Sequence, residues 1–209
     1  MTTINESFNT SDGDTLGPDL TWTEVDGDWD IVSNAAELIS NYGSTSRCAR
    51  AEHDLASADH YAQVSVVQSN GGSHCGVCVR FAAAAETYYA GVWDGTTFTG
   101  TYTIFKVVAG TRSTLATLSE AATTPFTIRL EVEDDGSGNA DLTLYKNGVS
   151  KVTHTDSSSP ITGNTRCGIY GYDPTGSGTS SPRIDSFEAG DLGVGGGGGN
   201  PWYYYAQAS

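Results

Sequence analysis

The sequence predicts an all-β sandwich, and three observations predict it. The 209 residues include 26 glycines, one methionine and abundant Ser and Thr, a composition that favours turns and strands over helices. Short runs with period-two alternation recur along the whole chain at about the 8 to 12 residue spacing of sandwiches and barrels. No window offers an amphipathic helix: residues 82–87, with four consecutive alanines, are short and sit between two strand-like runs, so they read as a loop. The hydrophobic fraction of 37% is enough for one core, and all-β sandwiches of about 200 residues are commonly single domains.

The runs, in chain order, are 20–25, 29–33, 36–40, 47–52, 61–68, 75–82, 87–94, 101–108, 111–117, 126–132, 140–145, 149–154, 165–172 and 183–189. In the tenth, Phe126, Ile128, Leu130 and Val132 alternate with Thr127, Arg129 and Glu131, as in a strand with one wet face. The Gly-rich turn 134–139 then leads into Ala140, Leu142 and Leu144, which point opposite to Asp141, Thr143 and Tyr145. Asn147-Gly148 follows, a pair that tolerates positive φ at both central positions of a hairpin turn, and sends the chain back through residues 149–154.

A family resemblance rests on particular segments. Phe8-Asn9-Thr10-Ser11-Asp12-Gly13, Leu16-Gly17, Trp22 and Gly27-Asp28-Trp29 open the chain. Gly76-Val77-Cys78-Val79-Arg80-Phe81, Tyr88-Tyr89-Ala90-Gly91-Val92-Trp93, Leu144-Tyr145-Lys146-Asn147-Gly148, Gly168-Ile169-Tyr170 and Arg183-Ile184-Asp185-Ser186-Phe187 follow. Together they resemble the laminin-G-like jelly rolls of the concanavalin A-like lectin/glucanase superfamily over residues 4–192. The resemblance implies a two-sheet antiparallel jelly-roll sandwich, one of whose sheets is concave and receives a glycan in many relatives. Fold of this kind does not specify activity.

The organisation expected is a jelly-roll domain at residues 1–192 and a Gly-rich linker with an aromatic peptide at 193–209. Five glycines at 195–199 form a flexible tether by themselves. Pro201, Trp202, Tyr203, Tyr204 and Tyr205 offer large contact area at low side-chain entropy cost, which suits an anchor on a partner. The alternative is that this peptide folds back on its own sandwich.

Charge excludes some partners. Ten Lys and Arg against 25 Asp and Glu give a net charge of −15, so no basic stripe is available to displace counterions from nucleic acid. No apolar run approaches the ~20 residues of a spanning helix, and the first ten residues lack the pattern of a secretory signal.

Catalysis on this fold needs two carboxylates flanking a glycosidic bond. The nearest run, Glu131-Val132-Glu133-Asp134, lacks the three alternating acids of laminarinase-like relatives and reads as a solvated strand face. His53, His60, His74 and His154 have no partner spacing of a triad. The expectation is therefore no enzymatic activity. Metal is weakly indicated: His74-Cys75-x-x-Cys78 has soft donors, but alternation turns Cys75 and Cys78 to opposite sides of a strand. Calcium is suggested by analogy with related jelly rolls, with Asp12, Asp14 and Asp185 as candidate ligands and Asp26, Asp28 and Asp30 mainly a turn. No other cofactor is expected. Four cysteines allow three pairings, of which Cys48 with Cys167 is the candidate disulfide, unless the chain stays in a reducing compartment.

For glycans, Arg80, Tyr88, Tyr172 and Asp173 are the candidate exposed contacts, while Trp93 reads as core. Two functions remain. One is a virion-surface structural protein of a bacteriophage, a capsid decoration or tail-associated component anchored by its termini, oligomeric, with virion proteins as partners and glycan affinity as an accessory. The other is an extracellular carbohydrate-binding module of a bacterial surface protein or glycoside hydrolase.

Overall fold

Residues 2–13, 15–40, 47–68, 73–96, 99–173 and 183–193 are described by a computed structural model. Alternating side chains build two antiparallel sheets stacked face to face. In the eight-stranded sheet the order is β13 (Val149–Asp156), β12 (Ala140–Lys146), β11 (Phe126–Asp134), β6 (His60–Gln68), β15 (Arg183–Asp191), β4 (Ala36–Ser40) and β3 (Asp28–Ile31). The eighth strand, β1 (Thr3–Glu6), also pairs with β15, beside Phe187 to Gly190, while β4 takes Arg183 and Ile184. The seven-stranded sheet runs β10 (Thr111–Ser119), β9 (Thr99–Val108), β8 (Tyr88–Thr96), β7 (His74–Phe81), β14 (Arg166–Tyr172), β5 (Arg47–Ala51) and β2 (Trp22–Asp26). This is the two-sheet jelly roll expected from the sequence. The segment 82–87 is a loop, and Asn147 and Gly148 take φ of 48° and 74°, as a tight hairpin turn requires.

The main core lies between the sheets. Phe126, Ile128, Leu130 and Val132 of β11 enter it from one side, and Cys75, Val77, Val79, Tyr89, Trp93 and Ile104 from the other. A second apolar cluster sits on the outer face of the seven-stranded sheet. It contains Cys48, Cys78, Phe81, Tyr88, Ala90, Val92, Phe105, Val107 and Tyr170, all buried. Hence β5 and nearly all of β7 and β14 are buried on both faces, whereas β11 alternates between buried and half-exposed positions before its exposed end. Close strand contact depends on small residues there: a Cβ at Gly76 would lie 2.0 Å from the Gly91 carbonyl oxygen, and one at Gly168 2.3 Å from that of Ala49.

Buried polar groups tie the layers together. Lys106 Nζ donates to Asp156 Oδ2 at 2.8 Å and to the Ser158 carbonyl at 2.7 Å, while Tyr89 OH donates to the same Asp156 oxygen at 2.7 Å and accepts from Ile161 N. Burial alone would raise the Asp156 carboxyl, but the bonds from Lys106 and Tyr89 outweigh it and hold the group below the ordinary carboxylate range. The pair joins the end of β13 in one sheet to β8 and β9 in the other. Glu6 forms a second tie. Its carboxylate accepts from the backbone N–H groups of Phe8, Asp19 and Leu20 and from Trp22 Nε1, which folds the loop before β2 onto β1. Asp191 forms a third by accepting from Thr2 N at 2.6 Å and Ser57 N at 2.9 Å.

His60 is enclosed completely. Its Nδ1 lies 3.0 Å from the Ser57 carbonyl, and its Nε2 accepts from Arg80 N at 3.0 Å; one donor and one acceptor mean a neutral ring. Burial lowers its pKa from 6.5 to about 4 in spite of the Ser57 bond. The unfolded chain therefore takes up a proton that the folded chain refuses between those two values. Stability from this group is complete above pH 6.5 and is lost as pH falls toward 4, by about 3 kcal/mol at ~1.4 kcal/mol per pKa unit. Urea unfolding should show a lower midpoint at pH 4.5 than at pH 7.5, and His60→Gln should narrow the gap; an unchanged gap in that variant would remove His60 as its cause.

Candidate functional site

The outer face of the seven-stranded sheet can be read strand by strand from the register. Its middle is filled by the protein itself. Phe105 on β9 and Tyr170 on β14 are separated by β8 and β7, about 14 Å at ~4.8 Å per strand, yet their rings approach to 5.1 Å. That contact requires the sheet to curl toward this face, and the small residues Gly76, Cys78 and Ala90 leave the floor low enough for the rings to lie across it. Phe81 and Tyr88 fill the adjoining stretch with rings 4.6 Å apart. Arg112 covers Phe105 at 4.0 Å and Arg50 covers Phe81 at 5.6 Å. The concave surface that the resemblance implied as a glycan seat is thus occupied at its centre by aromatic side chains.

At one end of the face the described side chains are only partly buried or exposed. There Tyr172, His74, Asp94, Thr101 and Ser119 are cross-strand neighbours from β14 to β10. The His74 and Tyr172 rings meet edge to face at 4.8 Å, and His74 Nε2 stands 3.3 Å from Asp94 Oδ2. Burial lowers the His74 pKa, against the raising effect of Asp94, so the ring is neutral at neutral pH. Its Nδ1 makes no hydrogen bond among the described residues. Tyr172 is half-buried, and 41% of the Asp94 side chain is exposed. An aromatic body next to an imidazole and a carboxylate of fixed position can stack on a ring-shaped ligand and bond its hydroxyls.

The outer face of the eight-stranded sheet differs. Arg129 covers the Tyr61 ring at 3.5 Å, Tyr61 OH donates to Glu188 at 2.5 Å, and Glu131 accepts from Arg129 Nε and Tyr145 OH. Its aromatic groups are engaged internally. Beside them lies a shallow hollow of about 260 Å³, lined by Asn5, Ser7, Asp19, Gln63, Ser186 and Glu188. Glu133 projects from the same sheet into solvent, with its carboxyl raised first by partial desolvation and then by Glu131, Asp59 and Asp141.

Of the four glycan candidates, only Tyr172 belongs to the row with His74 and Asp94. Arg80 is 1% exposed, with its guanidinium donating to the carbonyls of Ala58 and Ile161 and to Asp59. The expectation of an exposed arginine fails because β7 bulges: Cys78 to Phe81 is three steps, against two from Gly168 to Arg166 on β14, and Arg80 takes φ of 47°. Alternation breaks, Arg80 turns inward, and Phe81 takes the outer face. Tyr88 is wholly enclosed in the second cluster and Asp173 is 1% exposed, so neither offers the exposed contact expected of it. His74 and Asp94 were missed because each reads as an ordinary strand-end polar residue; only the pairing of β7 with both β8 and β14 brings them beside Tyr172.

The disulfide expectation is corrected. All four cysteines are free and buried. Cys48 is part of the outer cluster and Cys167 of the core between the sheets, so a seven-stranded layer separates the two faces on which they sit. Cys75 and Cys78 are likewise divided, as alternation predicted. No group of three His, Cys, Asp or Glu residues within reach of one metal ion occurs among the described residues. Asp12 Oδ1 accepts from Ser33 N at 2.8 Å, Asp185 is exposed on β15, and Asp14 lies outside the described residues. So do Pro201, Trp202, Tyr203, Tyr204 and Tyr205. No described helix is long and apolar enough to cross a membrane.

Neither a family model nor a curated protein matches the sequence. Solved structures do share the fold. The carbohydrate binding module CBM66 from Bacillus subtilis is 15% identical with a TM-score of 0.55, covering 81% of this chain and 92% of its own. A Bacillus licheniformis beta-glucanase is 11% identical with a TM-score of 0.56, covering 91% and 98%. Beta-agarase A from Zobellia galactanivorans is 8% identical with a TM-score of 0.59, covering 89% of each chain. At these identities the likeness establishes the two-sheet sandwich. It also overturns the expectation of no enzymatic activity, which was drawn from the absence of a familiar acid pattern and triad spacing. Two of these three are named as enzymes on the same sandwich.

Burial pushes the Cys48 thiol up to about 12 and raises Cys78 and Cys167 well above the ordinary thiol range. The native protein should therefore leave all four thiols unreacted with Ellman's reagent at pH 8 for many minutes and release four equivalents in guanidinium. A deficit of two equivalents after denaturation without reductant would restore a disulfide.

Proposed function

We propose that this chain is an extracellular carbohydrate-binding jelly-roll module, with the sugar seated at the Tyr172 end of the seven-stranded sheet. The observation that carries this reading is the row Tyr172, His74 and Asp94: a half-buried aromatic ring in edge contact with an imidazole, which itself stands beside a partly exposed carboxylate. Tyr172 supplies the apolar face for a pyranose or furanose ring. Asp94 and the hydroxyls of Thr101 and Ser119 supply acceptors and donors along the same line. The similar structures that are named for carbohydrate binding or for a glucan or agar substrate support the ligand class. They lend no support to a bacteriophage role, and the aromatic peptide that prompted it lies outside the described residues.

A glycan array followed by calorimetry tests the proposal. At least one neutral oligosaccharide should bind, and Tyr172→Ala should weaken it about tenfold, ~1.4 kcal/mol, without changing the melting temperature by more than a few degrees. Binding that survives both Tyr172→Ala and His74→Ala would move the site elsewhere, and an array without hits would end the binding-module reading. Release of reducing ends from a bound sugar would add hydrolysis to the function.

A further inference from the structure

The strand orders end at β13 and β3 in one sheet and at β10 and β2 in the other, and β1 adds a fifth edge beside β15. β1 and β3 have four residues each, and β3 carries Asp28 and Asp30; β2 has five and carries Glu24 and Asp26; β13 has eight and carries Lys151, which pairs with Glu120. Charge and shortness of this kind keep edges from pairing with other chains. β10 is different. It has nine residues, of which only Arg112 is charged, and none of its side chains is buried. Among the described residues its ladder is with β9 alone.

The surroundings of β10 have the same character. No Asp or Glu occurs between Asp94 and Glu120, in a chain of net charge −15. β10 packs beside β13, and of the four exposed large apolar side chains, Val108 at 47%, Leu118 at 38% and Val149 at 59% belong to β9, β10 and β13. A sandwich side that is acid-free along its edge strand and bears exposed apolar groups is where two copies of so acidic a protein meet with least repulsion.

We infer that β10 is the seam of a homodimer, formed by antiparallel pairing with β10 of a second copy. The bulge between Thr114 and Ala116 leaves two regular stretches of four residues, 111–114 with Arg112 and 116–119 without a charge, and the uncharged one makes the seam. A two-fold axis perpendicular to the sheet keeps equal faces together. A register centred on Thr117 sets that residue opposite its own copy and places Leu118 across from Ala116 of the partner, so a threonine pair and a large-to-small apolar pair result. The two seven-stranded sheets become one continuous sheet, and the interface closes on itself.

Sedimentation equilibrium of the full chain tests this. Mass should rise with concentration from 21.9 kDa toward twice that value and stop there. Association should be stronger at physiological than at low ionic strength, because salt screens the repulsion between the two acidic bodies. Thr117→Asp should stay monomeric while keeping the native circular dichroism and melting temperature, and Ser150→Asp on β13 should still dimerise. Hydrogen exchange should slow at residues 116–119 in the concentrated sample only. A single-chain mass at millimolar concentration in salt, growth beyond two chains, a dimer indifferent to Thr117→Asp, or protection confined to other strands would each overturn the inference.

Discussion

The middle of the seven-stranded sheet is buried on both of its faces, and most of the molecule follows from that. A sheet with a single core needs one buried face per strand; here β5, β7 and β14 bury both. Burial of roughly 25 cal/mol per Å² of apolar surface on the second side supplements what a modest hydrophobic fraction provides between the sheets. It also demands small residues in the middle strands, where neighbouring backbones approach closely beneath the outer rings. Gly76 and Gly168 stand where a Cβ would strike a neighbouring carbonyl. The same packing takes the thiols out of chemistry.

Double burial also explains which features were legible in the sequence. β11 to β13 were read correctly because one wet face makes alternation visible and Asn147-Gly148 marks the turn. β7 and β14 were located as strands, but their faces could not be ranked: with both sides buried, Tyr88 and Tyr170 look as available as Tyr172. Arg80 was misplaced by a bulge that adds one residue between Cys78 and Phe81, a change that side-chain alternation cannot reveal. β1 escaped notice because Thr3–Glu6 is short and contributes Ile4 alone to the core. The sequence does not mark Glu6 as buried, since nothing local shows that four N–H groups from residues 8–22 converge on it.

Polar interior groups determine how the layers align. Lys106 and Asp156 lose hydration when buried, so the pair stabilises little against an apolar replacement, but removing one partner would leave an uncompensated charge at a cost of about 3–5 kcal/mol. The geometry is consequently specific. Lys106 meets Asp156, Ser158 and Ser159 only if β13 ends over β9, and Tyr89 meets Asp156 and Ile161 only in the same alignment. His60 and Arg80 act similarly at the bulge, where the backbone N–H freed by the irregularity of β7 finds the imidazole nitrogen.

Function on such a scaffold depends on what the packing leaves outside. The eight-stranded sheet presents Glu131, Glu133, Asp141, Asp185 and Glu188, with Arg129 and Arg183 in ion pairs, so its outer field is negative. Across the sandwich, the stretch from β8 through β10 has Asp94 as its single acid before Glu120. A field of this shape repels polyanions at long range and neither steers nor excludes a neutral molecule. Under the proposed binding function, the row at Tyr172 would therefore meet uncharged hydroxylated ligands on equal terms with water, and selection among them would fall to ring stacking and to the few hydroxyl partners that β7 to β10 hold in line.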